Sequence, residues 1–165
     1  MSTLKVNSII PVAGVPTGGG GGIIQIVKAV TTTQTSTSSE SFVDTNLTAT
    51  ITPTSTSSHV LILARIICEG TQNNSFARFD VFRGGTSGTQ LGNSVRGLSQ
   101  MGVNNGNDFM GSCNIIHLDT GVSTTSATEY LIKMRLSGSG TVKMPGGGTS
   151  SGVIPCEICL LEVSA

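Results

Sequence analysis

The chain has 165 residues, in which nine lysines and arginines balance nine aspartates and glutamates, and only 11% of positions are charged. A chain of this length suits one domain, and its neutral balance excludes the basic footprint that a nucleic-acid binder sets against phosphate. Surface charge is the usual source of solubility, so a charge-poor chain is expected to hide surface in an assembly or to keep it wet with hydroxyls and glycine.

Five Phe, one Tyr, no Trp and 22 Gly accompany many Ser, Thr and β-branched residues. That mixture indicates an all-β domain. No apolar run of about 18 residues is long enough to span a membrane, and no basic stretch followed by an apolar one and a small-residue cleavage site marks a secretory signal. Cys68, Cys113, Cys156 and Cys159 are therefore expected to stay reduced.

Residues 1–22 read as an arm and a hinge. Pro11, Gly14 and Pro16 punctuate the segment, and residues 18–22 are five consecutive glycines, which no packed element favours because glycine loses the most backbone entropy on ordering. Residues 2–16 are expected to dock in extended form on another protein, with Leu4, Val6, Ile9 and Ile10 as apolar contacts. A frayed tail is the plain alternative.

From residue 23 to 165 the pattern has the period of strands. Ile24, Ile26 and Val30 mark a first strand around Gln25. Residues 31–41 are a Thr/Ser tract, either a solvated strand continuation or a loop. Leu47, Ala49 and Ile51 alternate with threonines up to Pro53, the pattern of a half-buried strand. Residues 59–69 are the most apolar stretch, from Val60 through Leu63 and on to Ile66, Ile67 and Cys68. A strand apolar on both faces is buried on both sides. It either lies under a loop or meets another subunit, and the subunit is favoured, with Leu61, Leu63 and Ile67 at the interface.

Phe76, Arg78, Asp80 and Phe82 alternate with Ala77, Phe79 and Val81 in a further strand. A turn from Gly85 leads to a short strand near Leu91, and the Gly/Asn-rich residues 97–108 are expected to form an exposed loop. Strand character resumes over 109–118. Tyr130, Ile132, Met134 and Leu136 alternate with Lys133 and Arg135, a short strand is expected over 141–144, and 153–163 closes the domain after a loop at 145–152. No helical periodicity is present. Eight or nine strands at this spacing predict an antiparallel sandwich or jelly roll.

Motifs that could carry chemistry have plainer readings. Cys156 and Cys159 form a Cys-x-x-Cys, and zinc could draw further ligands from Cys68, Cys113, His59 and His117. An odd separation within a strand, however, sends the two thiols to opposite faces, so buried structural thiols are expected. The glycine run leads into a strand and not into a lysine and a helix, which makes it a hinge and no phosphate loop. His59 and His117 have no nucleophile motif beside them, and no acid pair stands out. No catalytic residue, metal site or cofactor is assigned.

Several segments taken together resemble a family of small virion proteins of cyanophages and other marine or freshwater bacterial viruses. They are the opening residues 2–9, the glycine joint to residues 23–27, residues 41–44, residues 49–53, and the serine tract before residues 60–63. Residues 77–79, 81–84, 88–92, 118–119 and 126–130, and the ending Glu162-Val163, continue the likeness. The motifs are loose strand signatures spread over most of the chain. The resemblance implies a jelly-roll-like sandwich assembled as a homotrimer and a structural role in the virion, labelled tail fibre in many members.

A long fibre needs a shaft of coiled coil or β-repeats before its head. A short arm and one sandwich suit direct docking on a lattice instead. The expected function is a non-enzymatic capsid decoration or cement protein. It would be made in the host cytoplasm, placed on the outer surface of the particle, and bound to the major capsid protein or another virion protein. A tail-fibre or short tail-appendage component that meets a host cell-surface receptor is the alternative. A lectin-like carbohydrate-binding module is the third reading, opposed by the missing tryptophans and an inward-pointing Tyr130.

Overall fold

The structure, a computed structural model, describes residues 22–71, 75–103, 109–147 and 152–164. It is all-β, with eleven strands and no α-helix among the described residues. In chain order they are β1 (Ile23–Thr31), β2 (Thr35–Thr37), β3 (Val43–Ile51), β4 (His59–Gly70), β5 (Ser75–Arg83), β6 (Thr89–Gln90), β7 (Ser99–Val103), β8 (Phe109–Asp119), β9 (Thr128–Ser137), β10 (Val142–Met144) and β11 (Cys156–Val163). The arm residues Leu4, Val6, Ile9 and Ile10 lie outside the described residues. Gly22 pairs with Ser164 through its N–H to Oγ at 3.0 Å, so β1 begins beside the end of β11.

The strands form two antiparallel sheets. One runs β1-β11-β4, with β8 on the far edge of β4 and the short β10 and β2 continuing past the end of β11. The other runs β3-β9-β5, with β6 and β7 sharing the outer edge of β5. The number of strands exceeds the eight or nine expected because β2 and β7 lie in segments that the sequence does not mark plainly as strands. β2 settles the Thr/Ser tract as a brief strand between loops.

Alternation decides which side chains meet between the sheets. Val60, Ile62, Ala64, Ile66 and Cys68 of β4 face inward, opposite Leu47, Ala49 and Ile51 of β3 and Tyr130, Ile132, Met134 and Leu136 of β9. Ala77, Phe79 and Val81 of β5 join them. Two features depart from a simple reading of the sequence. The apolar side of β1 points outward: Ile26 is 62% exposed, while the smaller Val27 and Ala29 pack on the core. Residues 99–103, expected within a loop, are strand β7, in register with β5 from Ser75↔Val103 to Phe79↔Ser99. Glycine and asparagine hide an edge strand whose ladder depends on a partner far away in sequence.

The buried carboxylates of Asp119 and Glu162 are each held by several donors. Asp119 of β8 accepts from Tyr130 Oη at 2.8 Å, from Arg83 Nη1 at 2.7 Å and from Gly121 N–H at 2.9 Å. Tyr130 and Arg83 belong to the opposite sheet, so this cluster ties the two layers together. In β3 a bulge interrupts the ladder between Asp44 and Thr48, and the Thr45 hydroxyl donates to the Ile132 carbonyl there at 2.6 Å.

Glu162 of β11 is fully buried. Burial alone would raise its pKa, but hydrogen bonds from Gln25, Ser58 and Thr54 outweigh that and hold the carboxyl down at about 2. A folded-state value below the ordinary 4.5 means that Glu162 contributes stability above that pH, and that this contribution is lost as pH falls towards 2. Glu162→Gln is expected to lower stability at pH 7 by about 1–3 kcal/mol. It should also flatten the decline of stability between pH 5 and 2, as read by urea unfolding across that range. An unchanged pH profile would contradict the assignment.

Candidate interaction surface

The two sheets present unlike outer faces. That of the β3-β9-β5 sheet carries Asn46, Thr48, Thr50, Lys133, Arg78 and Arg135. The outer face of the β1-β11-β4-β8 sheet carries two cross-strand rows that are apolar apart from Lys28 at the edge. In the first, Ile26, Leu161, Leu61 and Leu118 stand opposite one another across the four strands. In the second, Lys28, Cys159, Leu63 and Ile116 do the same. Ile116 is 78% exposed and Leu118 46%.

Geometry follows from local sequence. Each strand alternates in and out, so the residue between two core positions must face solvent, and β4 and β8 place leucine and isoleucine there. The next row is charged. Glu157 of β11 accepts from Lys28 Nζ at 2.7 Å and faces Arg65 Nε at 3.5 Å. The Lys28 hydrogen bond, and then its charge, pull the Glu157 carboxyl below its ordinary value. A shallow depression of about 320 Å3 opens between the apolar and charged rows, lined by Leu63, Ile116, Cys159, Arg65, Glu157 and Asn114.

Of the residues expected at an interface, Leu61 and Leu63 lie in the two rows. Ile67 is on the same face of β4 but stands opposite Ser112, beyond the charged row, and does not join the apolar rows. The sequence reading missed Ile26, Ile116, Leu118, Leu161 and Cys159. The only available signal was the period-two pattern of β1 and β8, and one strand cannot reveal which of its faces meets the core.

Cys156 is fully buried and Cys159 lies on the outer face, the opposed placement expected from their spacing. Cys156 Sγ accepts from the Ile67 N–H at 3.1 Å. Cys68, Cys113 and Cys156 are buried, and Cys68 shares a thiol hydrogen bond with Cys113 that, with burial, pushes the Cys68 thiol up. His59 begins β4 and His117 lies on β8. Among the described residues no group of three His, Cys, Asp or Glu side chains is placed to hold a metal.

No family model matches the chain, and no curated protein matches it.

Exposed side chains that touch little cost little when changed. Leu63→Ser combined with Ile116→Ser is expected to leave the stability of the isolated subunit within about 1 kcal/mol of the parent. Ile62→Ser, one position away but facing the core, should cost several times more, about 3–5 kcal/mol. Denaturant melts at low protein concentration check this, and equal losses would mean that the faces are assigned the wrong way round.

Proposed function

We propose that this protein is a non-enzymatic structural component of a bacteriophage particle. Copies of the chain assemble as a homotrimer through the outer face of the β1-β11-β4-β8 sheet and decorate the head shell, with residues 2–16 as the docking segment. The observation that carries the reading is the pair of apolar rows containing Leu61, Leu63, Leu161, Ile116 and Leu118 on a sheet face over which, among the described residues, no second layer lies.

Burying apolar surface stabilises by about 25 cal/mol per Å2, so each 100 Å2 removed from water contributes about 2.5 kcal/mol before the cost of association is met. The neighbouring charges are already paired within the face, so they can approach another copy without bringing in an uncompensated ion. The chain has no net charge, so copies do not repel one another. A second copy is therefore the occupant that these features favour. The resemblance to phage virion proteins supplies the setting and the threefold order. Several arms on one assembly would turn weak single contacts into firm attachment.

Two measurements test the reading. Light scattering after size-exclusion chromatography should give a mass three times that of the chain, and Leu63→Asp with Ile116→Asp should reduce it to that of one chain. A parent protein that remains a single subunit at micromolar concentration would overturn the assembly. Quantitative mass spectrometry of purified particles should count hundreds of copies, and loss of residues 2–16 should remove them. Tens of copies would place the protein on a tail appendage and refute head decoration.

A further inference from the structure

The outer face of the β3-β9-β5 sheet holds a cross-strand row with two arginines side by side. Gln100 of β7, Arg78 of β5 and Arg135 of β9 stand directly opposite one another. Facing like charges on an antiparallel pair destabilise it. Lysines and arginines elsewhere are treated differently. Glu157 takes Lys28 and Arg65, Asp119 takes Arg83, Asp44 takes Lys133, and Glu69 takes Lys143. Among the described residues, Arg78, Arg96 and Arg135 are the cations with no carboxylate partner. One step along the same face, Lys133 stands between Asp80 and Asp44. The arginine row has no acid in register.

The two guanidinium groups are held in place without being neutralised. Arg78 Cζ lies 5.7 Å from the centre of the Phe76 ring, and its Nη1 donates to the Val95 carbonyl at 3.1 Å. Arg135 Cζ lies 5.6 Å from the centre of the Phe42 ring. Both Nε atoms are buried and have no hydrogen-bond partner. Phe42 in turn rests against Gly97, where an added Cβ would stand 3.2 Å from the ring, and Gly97 closes the turn that carries Arg96. Burial, and then the charges of Arg135 and Arg96, push the Arg78 guanidinium below its ordinary value.

We propose that this row is a binding site for the carboxylate of an acidic saccharide. Guanidinium forks match a planar carboxylate with paired N–H donors, and aromatic support removes part of the entropy that long side chains lose on binding. A carboxylate seated between Arg78 and Arg135 would relieve a repulsion that the fold otherwise carries. The exposed amide of Gln100 offers a partner for sugar hydroxyls, as does the Ser137 hydroxyl opposite Phe76. The Phe76 ring lies across Gly102, where any side chain would collide with it, and so presents a flat apolar edge to a sugar ring. This polar rim favours a saccharide over an acidic peptide. The site lies on the β3-β9-β5 sheet, the opposite layer from the apolar rows of the β1-β11-β4-β8 sheet.

Amide NMR titrations of the assembled protein with D-glucuronate, D-glucose, inorganic phosphate and hexaglutamate test the proposal. Glucuronate is expected to shift Arg78, Gln100 and Arg135 saturably, and glucose is not. Arg135→Gln and Arg78→Lys should each weaken glucuronate binding at least tenfold, while Lys143→Gln should bind like the parent. Arg135→Gln should also melt at or above the parent temperature, because a like-charge pair is gone, which separates loss of ligand from loss of fold. Glucose shifting the same residues equally, or parental affinity in both arginine variants, would refute the site. Tighter binding of phosphate or hexaglutamate than of glucuronate would refute its assignment to an acidic saccharide.

Discussion

Strand β4 is hydrogen-bonded on both edges, to β11 and β8, and carries apolar side chains on both faces. A central strand in a two-layer sandwich has one face against the other sheet and one towards solvent. Val60, Ile62, Ala64, Ile66 and Cys68 take the inner side, and Leu61 and Leu63 are left outside by the geometry of the pleat. Residues on β1, β8 and β11 extend the same apolar character sideways in register. The hydrophobic effect has no preferred direction, so the force that closes the core on one side also acts on the other. Among the described residues, the core closes on the inner side of β4 and apolar side chains remain on the outer side.

Electrostatics are arranged around the same division. Inside, Asp119 and Glu162 are saturated with donors, and the Asp119 cluster joins the layers through Tyr130 and Arg83. Their cost of burial is offset because every charged oxygen is engaged. On the outer face of the β1-β11-β4-β8 sheet, Lys28, Glu157 and Arg65 neutralise one another. The Arg78–Arg135 row departs from this rule in a chain that is sparing with charge. Local violations of an otherwise consistent design tend to mark function, since stability alone would remove them.

Much of the fold was legible along the chain. β3, β5 and β9 were readable because their inner faces are apolar and their outer faces polar, so period and polarity agree at Leu47, Phe79 and Ile132. β1 was legible as a strand but not in its orientation. Both of its faces are apolar, and only pairing with β11 decides that Val27 packs inward and Ile26 outward. β7 was missed because Gly102 and the neighbouring glycines and asparagines signal a loop, whereas the strand is held by Ser75–Phe79 of β5. Of the three residues expected at an interface, Leu61 and Leu63 share the apolar rows, and Ile67 lies past the charged row.

Composition and alternation alone determined that the chain is all-β, that its strands bury one side, and that β4 is apolar on both faces. These are local properties, carried by neighbouring residues at a spacing of two. Only the tertiary structure decided that Ile26, Leu161, Leu61 and Leu118 form one row, and that Arg78 and Arg135 face each other with no acid between them. Such rows join residues from different strands. Their make-up depends on the pairing register, and a one-residue slip in any strand would turn its side chains to the opposite face.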